Sequence, residues 1–121
     1  MMETIFVYGT LKEGYGNHYL LTKALKVGKA ETDEKYSMYE MGIPFVVKDE
    51  KDTTIKGEAY LVDTQTFRNV DLLEGHPICY RREKIKVNIE IDKRTRRTNA
   101  WIYFYPFACG NKVNNGIYKK R

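Results

Sequence analysis

Glu74 is the residue in this chain whose position calls for a chemical explanation. It follows Phe67 by seven residues and Val70 by four, so on a helix it projects from their core-facing side. It also precedes Gly75, a helix-ending residue, which places a carboxylate at the end of the helix where the macrodipole is negative. Partial burial and that dipole both push a carboxyl pKa upward. A carboxyl that exchanges its proton near neutral pH suits general acid/base catalysis. The structural alternative is a Glu74 that turns outward at a fraying helix end or pairs with Arg81 or Arg82.

Other chemistry-bearing types give weaker signals. His18 and His76 have no third ligand at metal-binding spacing, so no metal site is read and surface or capping roles are expected. Cys79 and Cys109 form neither a metal pattern nor a disulfide framework, and Cys79 is expected as a small buried side chain. No cofactor is implied. A reducing, cytoplasmic setting is the simplest expectation, since the start of the chain lacks a basic region followed by an apolar stretch and no apolar run is long enough to span a bilayer.

The elements that must position Glu74 can be read from periodicity. Ile5 to Tyr8 is a short strand stopped at Gly9, followed by a loop with Gly14 and Gly16. Asn17 is expected to cap a helix covering Leu20, Leu21, Ala24 and Leu25. Residues 26–40 hold one or two strands, and Pro44 to Val47 another. Ile55, Gly57, Ala59 and Leu61 share one face of the next strand. Asp63 or Thr64 then caps a helix that carries Phe67, Val70 and Leu73 and closes at Gly75. Alternation is clearest at Ile85, Val87, Ile89 and Ile91, followed by Ala100, Ile102 and Phe104 against Trp101, Tyr103 and Tyr105. That last strand has two apolar faces and is expected to be central. The chain of 121 residues suits a single domain over 1–121, an α+β fold with a curved sheet or small barrel and helices packed outside.

Charge is uneven. The net +5 divides into 8 basic and 10 acidic side chains over residues 1–60, and 13 basic and 6 acidic over 61–121. The excess gathers at 93–97 and 119–121. A patch of this kind can meet nucleic acid or an acidic partner, which would make the chain a non-catalytic binding module. The preferred reading is a charged hairpin turn and a solvated tail, because no aromatic residue is interleaved with the basic ones at 93–97. Nucleic acid is therefore not the expected partner, and a monomer is the default.

Three segments change the weight given to Glu74. Val7-Tyr8-Gly9-Thr10-Leu11-Lys12 with Gly14 and Asn17-His18 resembles the opening of γ-glutamylcyclotransferase-like (AIG2-like) proteins, closest to the γ-glutamylamine cyclotransferase branch. Gly57 to Val62 resembles their middle strand. Asp71-Leu72-Leu73-Glu74-Gly75-His76-Pro77 with Tyr80 and Arg81 resembles their glutamate-glycine element, with Val70 where leucine is usual. The matches fall in family order across most of the chain.

The resemblance implies a small mixed β-barrel of about six or seven strands with two flanking helices and a cavity at its mouth. It implies a γ-glutamyl substrate whose α-amine attacks its own γ-carbonyl, releasing 5-oxoproline and a free amine or amino acid without metal or cofactor. Glu74 maps to the catalytic acid/base, and Tyr8, Gly9, Thr10 and Leu11 to the loop holding the γ-glutamyl group. Tyr80 matches a tyrosine near the cavity. Tyr118, in Asn115-Gly116-Ile117-Tyr118, resembles a tail tyrosine that closes over the site. Each supporting residue keeps a structural alternative: Tyr8 and Tyr80 as core aromatics, Thr10 as a turn residue, and Trp101, Tyr103 and Tyr105 as core with one face toward the cavity.

Overall fold

The computed structural model describes residues 2–120. Its seven strands are β1 (Met2–Val7), β2 (Leu25–Met41), β3 (Ile43–Val47), β4 (Thr53–Asp63), β5 (Arg81–Ile91), β6 (Arg94–Phe104) and β7 (Asn111–Val113), with one α-helix, α1 (Thr64–Glu74), between β4 and β5. Five strands close into a barrel in the order β2-β4-β1-β6-β5, and β5 returns to pair with β2. All of these pairings are antiparallel except β1 with β6, which is parallel. β3 and β7 pair with the far end of β2, outside the closed ring.

Residues 26–40 form part of one 17-residue strand. Its register against β4 shifts between Lys26 and Gly28 and again between Glu31 and Lys35, and such irregularities bend a strand. The bends let β2 close the barrel with its first half and pair with β3 and β7 through its second. Closure of so small a ring brings backbones together. A Cβ on Gly57 of β4 would stand 2.1 Å from the Val7 carbonyl oxygen, so only glycine fits there.

β6 lies between β1 and β5, and both of its faces are covered as its composition predicts. Ala100, Ile102 and Phe104 fill the barrel with Phe6, Ile55 and Val87. Tyr103 belongs to a second cluster with Ile5, Val7, Val62 and Val70, against which Trp101 also packs, between the barrel wall and α1. Along β5 the alternation holds for Val87 and Ile89, which are fully buried, while Ile85 and Ile91 are half-buried toward the strand's ends.

The second flanking helix is not an α-helix. His18–Leu21 is a single 3₁₀ turn, and Leu25, placed on its apolar face by periodicity, opens β2 at 64% exposure. Asn17 does not cap this turn; its side-chain amide donates to Thr10 Oγ1 at 2.8 Å. The chain is thus tied back to the loop after β1 instead of being released into a longer helix.

At the other end of the barrel, residues 92–93 form the two-residue turn between β5 and β6. Asp92 and Lys93 both have positive φ, the conformation of the hairpin turns that match strand twist. The basic residues at 93–97 are therefore a hairpin tip and the strand that leaves it, and Arg97 pairs with Asp33 at 2.9 Å. In the second basic cluster Lys120 donates to the Gly14 carbonyl, and Arg121 lies outside the described residues. Among the described residues, no helix is long and apolar enough to cross a membrane.

Candidate active site

α1 begins with Asp63, whose carboxylate accepts from the Thr66 N–H at 2.7 Å, and ends at Gly75 in the left-handed conformation with φ 66°. The Gly75 and His76 N–H groups then close back on the Leu72 and Asp71 carbonyls, so the helix stops abruptly. Val70 is fully buried against the barrel, and Glu74 continues its inward row one turn later, at the barrel's mouth. Leu73, expected on the core face, is 41% exposed. It stands about 100° round the helix from Glu74, and with Glu74 turned inward it falls at the margin. Cys79, expected as buried, is also exposed, because the chain leaving Gly75 runs along the outer surface.

Glu74 opens into a small pocket of about 40 Å³. Tyr8, Gly9, Thr10 and Leu11 form one wall, Ile43 and Pro44 of β3 another, and Tyr80 and Tyr103 complete the surround. The structure thus brings together five of the six residues proposed for substrate binding. The sixth, Tyr118, is elsewhere: it is 8% exposed in the barrel core, its ring lies 5.7 Å from that of Tyr15, and its carbonyl accepts from Lys12 Nζ at 2.7 Å. Tyr118 is absent from the pocket lining and fastens the chain's end to the segment that follows the loop.

The loop's shape has local causes. The Lys12 N–H closes a turn onto the Gly9 carbonyl, Asn17 holds Thr10 through its backbone N–H and its side chain, and His18 Nδ1 lies 2.9 Å from the Leu11 carbonyl oxygen. The carbonyls are thereby engaged. Among the described residues, none accepts a hydrogen bond from the N–H of Gly9, Thr10 or Leu11. Successive free N–H groups beside a pocket form a concavity suited to a carboxylate or a developing oxyanion. Gly9 is required by packing as well, since a Cβ there would come within 2.7 Å of Pro44 Cγ.

Tyr8 belongs to the barrel core and also lines the pocket. Its hydroxyl donates to the Tyr103 carbonyl at 2.8 Å. Tyr103, read from sequence only within an aromatic group with one face toward the cavity, is a wall of the pocket. Its hydroxyl donates to Asp71 Oδ1 at 2.5 Å, and the same oxygen accepts from Arg82 Nε at 2.9 Å. Arg82 therefore pairs with Asp71, and the alternative in which Glu74 is neutralised by an arginine does not hold. Burial pushes the Glu74 carboxyl up to about 7. Burial first, then the proximity of Glu74, holds the Tyr8 and Tyr80 phenols well above their usual range.

His18 and His76 serve structural contacts. His76 Nδ1 accepts from the Arg82 N–H at 3.2 Å, and no cluster that could hold a metal is present among the described residues. The pocket thus offers one carboxyl poised near neutrality, three unengaged N–H donors and a mostly apolar surround.

Comparison with known proteins identifies the family. The family model for "Gamma-glutamyl cyclotransferase, AIG2-like" matches residues 5–120. The "Putative gamma-glutamylcyclotransferase MJ1514" of Methanocaldococcus jannaschii is 47% identical over 119 residues, covering 98% of this chain and 97% of that protein. The "Gamma-glutamylcyclotransferase family protein YtfP" of Escherichia coli is 32% identical over 102 residues, covering 84% and 80%. The crystal structure of an AIG2-like protein from Mus musculus superposes with a TM-score of 0.84 at 26% identity, covering 98% of this chain and 88% of the mouse chain. The chain belongs to the γ-glutamyl cyclotransferase, AIG2-like family.

Proposed function

We propose that the protein cyclises a γ-glutamyl amide, releasing 5-oxoproline and a free amine or amino acid, with Glu74 as the general acid/base. The observation that carries this reading is the Glu74 carboxyl, raised to about 7 by burial, opening into the small pocket lined by Gly9, Thr10 and Leu11, whose N–H groups have no acceptor among the described residues. The γ-glutamyl unit brings an α-carboxylate for the loop donors and an α-ammonium for Glu74. The Glu74 carboxylate takes one proton from that ammonium, and the freed lone pair attacks the γ-carbon. The tetrahedral intermediate collapses as Glu74 returns the proton to the γ-nitrogen and the C–N bond breaks. The second proton, shed by the new ring nitrogen, passes through the same carboxyl to the departing amine, which leaves as an ammonium.

Nucleophile and electrophile belong to one molecule, so holding the substrate in its cyclising conformer can supply up to about 7–11 kcal/mol of the barrier. A carboxyl near 7 is suited to both roles, since it is part carboxylate for the first step and a competent acid for the second. The apolar walls strengthen each interaction with developing charge.

The test is 5-oxoproline formation, read by mass spectrometry, across γ-glutamyl-α-amino acids, γ-glutamyl-ε-lysine and simple γ-glutamyl amines. Wild-type protein is expected to form product from at least one class. Glu74→Gln, with an unchanged fold, is expected to lose turnover by about 10²-fold or more. Wild-type turnover in that variant rules out the proposed mechanism.

A further inference from the structure

The hydroxyls around Glu74 share a feature that the reaction alone does not explain: two of them donate elsewhere. Tyr8 of β1 donates to the Tyr103 carbonyl, and Tyr103 of β6 donates to Asp71. Tyr80, from the segment between α1 and β5, lines the pocket and makes no hydrogen bond to Glu74. Arg82 of β5 is held by Asp71 as well and lies over the rings of Phe67 and Trp101, 4.3 and 4.5 Å from their centroids. Asp71 therefore collects two groups able to bind a carboxylate, the phenol of Tyr103, which lines the pocket, and the guanidinium of Arg82. It lies three residues before Glu74 on the same helix, yet it points to the outer cluster where Tyr103 and Arg82 meet.

Resting on the proposed acid/base role of Glu74, we propose that Asp71 is a positioning residue: it engages the Tyr103 hydroxyl and the Arg82 guanidinium so that neither turns to Glu74, which stays free to take and return a proton. A donor to a carboxylate stabilises its charged form, and so does an uncompensated cation nearby. Without Asp71, Tyr103 loses its acceptor and Arg82 its counter-charge, and Tyr103 already shares the pocket with the Glu74 carboxyl. The base would then be weaker, and the acid half of the cycle would be poorly populated at neutral pH. Tyr103 is suited to this arrangement because its backbone carbonyl also fixes Tyr8. One residue thus directs two hydroxyls away from the pocket's carboxyl.

The experiment follows the Glu74 side-chain carboxyl by ¹³C NMR titration, with Glu74→Gln identifying the resonance, in wild type, Asp71→Ala, Asp71→Asn and Asp71→Ala/Tyr103→Phe. The wild-type midpoint is expected near 7. Asp71→Ala is expected to lower it by about one unit or more, and adding Tyr103→Phe to recover part of that shift. Asp71→Asn keeps the side chain's shape, so it serves if the alanine variant fails to fold. Its lost charge leaves Arg82 uncompensated and is expected to lower the midpoint as well. The acid limb of kcat/KM moves to lower pH in parallel. A folded Asp71 variant whose Glu74 midpoint stays at the wild-type value overturns the proposal, as does a wild-type midpoint in the ordinary carboxylate range. The titration needs no turnover, so absence of 5-oxoproline from wild type removes the catalytic reading while the Glu74 midpoints of the Asp71 variants still decide this one.

Discussion

Gly9 shows how one atom can separate fold from function at this site. Its missing Cβ leaves room for Pro44 of β3, which forms the facing wall of the pocket, while its N–H stays unengaged. Gly9→Ala forces a contact of 2.7 Å with Pro44 Cγ, and overpacking of this kind costs about 1–3 kcal/mol. If the loop aims substrate as proposed, displacing it is expected to cost turnover about tenfold or more. Pro44→Ala removes the clashing atom, so the double variant should regain stability relative to Gly9→Ala. A double-mutant cycle by urea denaturation, with turnover measured alongside, checks this; simple additivity of the two substitutions counts against it. The inward projection of Glu74 was legible in the sequence because its signals are local, a helical row and a helix-ending glycine, whereas the 8–11 loop was assigned from its resemblance to the family's opening motif. The wall role of Tyr103 was legible only as one possibility for an aromatic group, and its bond to Asp71 spans 32 residues. Tyr118 was assigned from its tail motif, but its ring packs into the barrel core and its carbonyl is taken by Lys12.

At the scale of elements, α1 is a short lever whose two ends are fixed by different means. Its N-terminus depends on the Asp63 carboxylate, and its C-terminus on the left-handed Gly75. Asp63→Ala leaves the Thr66 N–H without its partner and is expected to lower stability by about 1 kcal/mol, measured by urea unfolding. Asp63→Asn should recover most of that, and an alanine variant as stable as wild type would show that the cap contributes nothing. The strands with clean alternation, β5 and β6, were read correctly because each residue's face is set by a period of two. β2 was read as one or two strands because two register shifts interrupt that period, and the bends exist to close the ring. The helix expected after Asn17 failed for a different reason: its capping side chain is spent on Thr10, and Leu25 is needed to begin β2.

For the molecule as a whole, the site has a thermodynamic signature. Burial pushes the Glu74 carboxyl up to about 7 in the folded protein, from about 4.5 when unfolding exposes it. Because the folded value is raised, the folded state binds more protons between these values, and stability falls as pH rises through the window. The penalty is absent below about pH 4.5, grows through the window and is complete above about pH 7, at up to about 3 kcal/mol. Glu74→Gln is thus expected to raise the melting temperature at pH 8 and to leave it nearly unchanged at pH 4. Equal effects at both pH values would show that the carboxyl is not desolvated in the folded protein.

The parallel pairing of β1 with β6 has a consequence for how the pocket comes into being. Three of its walls are drawn from positions 8–11, 74–80 and 103, and the strand that carries the last of these also completes the ring beside the first. As the polypeptide emerges from a ribosome, the loop and the glutamate are exposed long before Tyr103 is available to stand behind them. A nascent chain therefore carries the loop and the glutamate without the wall that encloses them, and the pocket is complete only once β6 lies beside β1.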